Sequence, residues 1–277
     1  MRRTVLLILL AAAAAVAQVR VTTAREGLRP SGQGKPSRER GTLIEKDTVH
    51  VFPYIVDAAT LSTELVFTGL EDHEVKVHCG FYGVDGKPVE LTFAGGAGSG
   101  VDITLAARAT VTIPIRSGAT PGITAWAYCT SDGFTDRFSG HAVVRAGTGA
   151  AVREFTIPML ADNEIKATLP VMAPATYQTG ILVLNTADDQ ATVVRLTLRD
   201  ATGAALAARV ARLDAGVLGV FLVNTNFRDF LTAEGDYSIQ AEVVEGAPWN
   251  VTLALRIGGP AGTLAFTPYV LERWTPE

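Results

Sequence analysis

The residue types best suited to chemistry in this chain of 277 are two cysteines and four histidines. His78 stands beside Cys79, and His141 follows Cys129, so a thiol activated by an imidazole is one chemistry these types allow. Their spacing argues against it. From Glu74 to Tyr82 apolar and polar residues alternate, with Val75, Val77, Cys79 and Phe81 on one side and Glu74, Lys76, His78 and Tyr82 on the other. A period of two with one apolar side marks a half-buried antiparallel strand, and neighbours on a strand point to opposite faces. His78 therefore points away from Cys79. Cys129 falls in phase with Ala125 and Ala127 and out of phase with Trp126 and Tyr128. Two inward cysteines on different strands of an exported β-protein predict a Cys79–Cys129 disulfide rather than a nucleophile.

Other chemistries are thinly represented. His50, His73, His78 and His141 have neither the H-E-x-x-H nor the Cys/His spacing of a zinc site, and no G-x-S-x-G elbow is present. Asp162, Asn163 and Glu164 fall at a short acidic hinge, too few oxygen ligands for a calcium ion that takes six to eight. The glycine cluster Gly95–Gly100 lacks the lysine of a phosphate-binding loop and reads as the extension of a hairpin. A pair of carboxylates brought together in space, as in glycosidases, stays open at this level. No catalytic residue, metal or cofactor is assigned.

Aromatic residues give the strongest functional signal. His78, Tyr82, Trp126 and Tyr128 share the outward phase of their strands, which predicts an exposed patch able to stack on sugar rings or anchor a protein partner. The alternative is that this face packs against another part of the chain. The nearest equivalents further along are Arg195, Arg199, Gln240 and Glu242, a polar face, so any binding function is assigned to the first of two repeats.

Those repeats organise the chain. A shift of 117 positions lays Pro53 on Pro170, Leu65-Val66 on Leu182-Val183, Asp72 on Asp189, Val77 on Val194 and Gly86 on Gly203. Further strands are expected at Thr110–Ile115, Ile123–Cys129, Leu218–Val223 and Tyr237–Val244, and the repeats end alike in Phe155–Pro158 and Phe266–Pro268. One helical turn is expected, at Asn226–Ala233. Short strands punctuated by Gly, Asp, Asn and Pro predict an all-β fold of two tandem antiparallel sandwiches, residues 44–160 and 161–277.

The N-terminus predicts export. Arg2-Arg3, an apolar run from Val5 to Ala15 and the small-residue site Ala15-Val16-Ala17 read as a signal peptide over residues 1–17. The run is shorter than the roughly 20 residues of a membrane span, so no transmembrane anchor is expected. Residues 18–43 carry six basic and two acidic residues and read as a flexible basic linker, whereas the chain from Ile44 onward has 16 basic and 26 acidic residues. Nucleic acid is not an expected partner of domains with that balance.

The pattern Phe52-Pro-Tyr, Leu65-Val-Phe, Val75-Lys-Val-His-Cys and Asp85-Gly is echoed by Leu169-Pro-Val, Leu182-Val-Leu and Val194-Arg-Leu-Thr-Leu. It resembles the immunoglobulin-like and fibronectin-type repeats of exported bacterial proteins. That resemblance implies sandwich modules in a periplasmic, cell-surface or extracellular setting, and it transfers no catalytic residue. Three functions follow as expectations. The first is a non-enzymatic protein presenting tandem modules to a protein or polysaccharide surface for adhesion or assembly. The others are carbohydrate binding through the aromatic patch and a cryptic secreted hydrolase.

Overall fold

The computed structural model describes residues 21–23, 50–93, 96–117, 122–131, 137–147, 152–161, 166–171, 174–187, 189–233, 235–246 and 250–257. The expected signal peptide, most of the basic linker, the acidic hinge residues Asp162–Glu164 and the closing Phe266–Pro268 lie outside the described residues. Within residues 18–43, strand β1 (Val21–Thr23) is described.

The first half comprises β2 (His50–Asp57), β3 (Leu61–Gly69), β4 (Val75–Gly83), β5 (Leu91–Phe93), β6 (Gly96–Gly98), β7 (Gly100–Leu105), β8 (Thr110–Ser117), β9 (Ile123–Ser131), β10 (Phe138–Ala146), β11 (Arg153–Pro158) and β12 (Leu160–Ala161). They form two antiparallel sheets, β11-β10-β3-β8-β5-β6 and β12-β2-β9-β4-β7. The second half comprises β13 (Lys166–Val171), β14 (Gln178–Asn185), β15 (Thr192–Asp200), β16 (Ala205–Leu213), β17 (Leu218–Leu222), the helical turn α1 (Val223–Asn226), β18 (Tyr237–Gly246) and β19 (Asn250–Ile257). Its sheets are β17-β14-β19 and β1-β16-β15-β18-β13, with β1 on the edge of β16.

The halves share one strand order. The run β2-β9-β4-β7 recurs as β13-β18-β15-β16, and β10-β3-β8 recurs as β19-β14-β17. The expected all-β architecture is therefore present, with both halves folded as antiparallel sandwiches on the same plan. Compared with the immunoglobulin arrangement, in which strands A, B, E and D face C, F and G, the central pairings recur as β3–β8 and β4–β9. The outer strands differ: β2 pairs with β9, and β10 pairs with β3.

Equivalent faces show where the gapless shift of 117 needs correction. It holds from β4 to β15, where Val75–Gly83 and Thr192–Asp200 are 117 apart, and Cys79 and Leu196 both point inward. Across β3 and β14 the inward residues Thr63, Leu65 and Phe67 match Thr179, Ile181 and Val183, a shift of 116. One residue is absorbed by the irregularity in β2 between Phe52 and Ile55, and one is added between β14 and β15. The phase was hidden because Ile181, Leu182, Val183 and Leu184 are all apolar and all buried. The helical turn starts at Val223, earlier than expected, and is followed by a single 3-10 turn at Arg228–Phe230. Phe227, 1% exposed, anchors the connection between them. The glycine cluster forms the second strand of the β5–β6 hairpin, as expected, and then leads into β7 of the other sheet.

Cys79 and Cys129 face each other in register on β4 and β9, with Cα atoms 4.1 Å apart, and are joined as a disulfide. The bridge ties neighbouring strands of one sheet. In the second half the same two positions are held by Leu196 opposite Ala241, an apolar pair. In the chain-entropy account a loop of 50 residues is worth about 4 kcal/mol. Replacing both cysteines by alanine is expected to lower unfolding free energy by about that amount in guanidinium titrations. An unchanged midpoint would contradict a structural role for the bridge.

Candidate functional site: the joint between the two halves

The aromatic residues singled out in the sequence are set by the β9 register. Tyr82 lies opposite Trp126, Gly80 opposite Tyr128 and His78 opposite Thr130. The indole of Trp126 stacks on Tyr82 with ring centroids 4.6 Å apart and an interplanar angle of 21°. All point out of the first sandwich, as their phase requires. The expected exposure is corrected, however, because the second half covers this face: Trp126 is only 4% exposed.

The cover is the outer face of β17-β14-β19. Leu182, Leu184, Leu218, Val251, Leu253 and Leu255 join the apolar cluster of the first half, while Ile181, Val183 and Phe221, on the opposite face, join the core of the second. The central sheet is therefore buried on both sides, and the sheets stack as four layers. Each such side chain contributes roughly 1.5–3 kcal/mol when fully buried, so the joint is strong before any polar contact is added. Two hydrogen bonds fix its register. Trp126 Nε1 donates to the Gly216 carbonyl at 3.1 Å, and the Leu218 amide donates to the Val84 carbonyl at 3.0 Å.

Backbone contact between two turns completes the joint. Gly86 (φ +77°) lies against Ala215 and Gly216 (φ +70°), and a Cβ on Gly86 would come within 2.8 Å of the Ala215 carbonyl oxygen. Both glycines thus serve a left-handed turn and a close approach at once. Beside them a cleft of about 220 Å³ is lined by Tyr82, Gly86, Trp126, Tyr128, Thr186, Ala187, Ala215 and Gly216. Three of the four expected ligand-binding residues therefore border one cleft between the halves. His78 does not border it; its Nδ1 lies 2.7 Å from an oxygen of Asp102 on an exposed strand edge.

The two repeats have exchanged the character of their outer faces. Where the first has Val51, Tyr82, Trp126 and Tyr128, the pairing registers place Thr168, Arg199, Ser238 and Gln240 in the second. Glu242 corresponds to Thr130, so the equivalence of the last two expected residues is shifted by one outward position. Arg195 bonds Glu242 at 2.7 Å and Arg199 bonds Gln240 at 3.1 Å, forming a polar face. Conversely, Thr68, Thr110, Thr112, Ser139 and His141 on the first outer sheet become Leu184, Leu218, Val220, Val251 and Leu253 on the second. Arg145, bridging Glu64 and Glu154, helps keep that first outer sheet polar.

Chemistry by a free thiol is closed, since both cysteines are in the disulfide. His141 sits on the outer sheet of the first half, away from both sulfurs. Among the described residues no group of three or more His, Cys, Asp or Glu is placed to hold a metal ion, and no helix is long and apolar enough to cross a membrane. No family model, no curated protein and no solved structure matches the chain.

Tyr54 shows how dry this region is. It lies in the irregular part of β2 opposite Trp126, it is 7% exposed, and burial pushes its phenol up to about 12. An unfolded phenol ionises near pH 10, so the neutral folded form contributes stability that is fully present below about pH 10 and is lost as pH rises to about 12. The loss amounts to roughly 2–3 kcal/mol. Tyr54→Phe is expected to remove that part of the alkaline slope in denaturant titrations; a slope equal to the parent's would contradict the assignment. Trp126→Ala is expected to cost about 3–5 kcal/mol, the range for emptying a buried indole site. A midpoint unchanged in guanidinium would mean that the face is not a joint.

Proposed function

We propose that this chain is an exported, non-enzymatic binding or structural protein of the bacterial cell envelope or extracellular space. Its tandem sandwich modules would present a protein- or polysaccharide-binding surface for adhesion or assembly. The observation that carries this reading is the stacked joint. With Trp126 buried and both faces of β14 covered, surfaces on the two modules are held at a fixed separation, as a scaffold requires. The cross-strand disulfide supports the location, because such bonds persist in oxidising compartments. The apolar start of the chain, Val5 to Ala15 behind Arg2-Arg3, supports export.

Carbohydrate binding is a second reading, favoured by the three aromatic residues around the cleft. It falls to Tyr128 and Tyr82 rather than to Trp126, whose ring is stacked and covered. One experiment addresses both readings. The mature chain is recovered from fractionated cells, its first residue is determined by mass spectrometry, and the purified protein is offered isolated envelopes and a glycan array. The expected result is an extracytoplasmic protein beginning at Gln18 that binds envelopes. Recovery from the cytoplasm with Met1 retained would overturn export, and free-glycan binding lost in Tyr128→Ala would move the assignment to the second reading.

A further inference from the structure

Strand β7 ends its sheet, and among the described residues nothing pairs along its other edge. The equivalent edge in the second half, that of β16, is occupied. There Val21, Thr22 and Thr23 of β1 lie opposite Ala211, Val210 and Arg209, which correspond to Ile103, Asp102 and Val101 of β7. This edge of the sandwich therefore accepts a strand. An open edge recruits a further strand unless something blunts it. Other ends of these sheets carry such devices: β11 has Arg153 and Pro158, β13 has Lys166 and Pro170, and β12 is two residues long. The six residues of β7, Gly100–Leu105, contain no lysine, arginine, proline or bulge.

The hydrogen-bond alternation shows what this edge offers. The Phe81 amide donates to the Ser99 carbonyl at 2.8 Å, in register with the β4–β7 pairs. Bonding along an antiparallel ladder alternates, so Val101, Ile103 and Leu105 turn their backbone groups towards β4. Gly100, Asp102 and Thr104 turn theirs to the open side. We propose that this edge is a self-association site whose occupant is β7 of a second copy, antiparallel about a two-fold axis at Ile103. In that register Asp102 of one copy and Thr104 of the other exchange backbone bonds, and Val101 stands opposite Leu105. Side chains then match in character, since apolar residues meet on the inward face and no two carboxylates are opposed. A two-fold axis at Asp102 would instead set the two Asp102 carboxylates opposite each other, and like charges so placed destabilise a pair. The pairing joins two five-stranded sheets into one and closes as a dimer. It depends neither on export nor on glycan binding.

Sedimentation equilibrium on the mature protein tests the assignment. The expected result is a concentration-dependent equilibrium between monomer and dimer. Thr104→Pro removes an amide that faces the open side and leaves the ladder with β4 intact. It is expected to weaken dimerisation by at least about tenfold, because symmetry loses the bond twice. Thr104→Asp is expected to weaken it too, by opposing Asp102 of the other copy, and Thr104→Lys to strengthen it. Retained amide-exchange protection of β4 and β9 shows that each variant is folded. A protein monomeric at every concentration would overturn the proposal, as would a dimer indifferent to all three substitutions. So would the reverse order, with Thr104→Asp strengthening and Thr104→Lys weakening the dimer. That order marks the arm of another copy as the occupant, because Arg20 and Arg25 flank β1 in the sequence.

Discussion

The outer face of β17-β14-β19 cannot face water. Six leucine and valine side chains, none more than 2% exposed, leave it no stable alternative to an apolar partner. The partner available on the same chain is the aromatic face of β2-β9-β4. Once the two meet, the remaining outer faces are those carrying Arg145 with Glu64 and Glu154 at one end of the stack, and Arg195 with Glu242 at the other. Isolated ion pairs on such exposed faces add little to stability. They leave polar side chains on the outer face at each end of the stack.

That division of labour explains why equivalent positions diverged. His141 and Leu253 occupy the same place in their sheets, as do Tyr82 and Arg199. One member of each pair faces solvent and the other faces the joint. The disulfide follows the same logic of local difference. Cys79 and Cys129 reinforce the sheet whose outer face bears the joint, while Leu196 and Ala241 suffice in the sheet whose outer face is wet. The cleft at the joint arises where the Gly86 and Gly216 turns meet beside Tyr128 and Thr186, so any ligand there would touch both halves.

Much of the fold was legible in the sequence. The alternation through Glu74–Tyr82 identified β4 to within a residue, and the inward phase of Cys79 and Cys129 identified the bridge. The outward phase of Trp126 was legible too, but its burial was not. Period-two alternation reports which way a side chain points relative to its own sheet and carries no information on what lies beyond. A signal did exist in β14, where Ile181-Leu182-Val183-Leu184 has no polar face at all. Such a run marks a strand buried on both sides. That same run concealed the one-residue change of phase between the repeats, since every position in it is apolar. Pairing between strands far apart in sequence, such as β2 with β9, left no local trace.

Calorimetry on the mature chain tests the central claim most directly. If the joint makes one cooperative body of the two sandwiches, a single endotherm is expected, with calorimetric and van't Hoff enthalpies equal. Two resolved transitions, each with the enthalpy of about a hundred residues, would show that the halves unfold independently and would contradict the account.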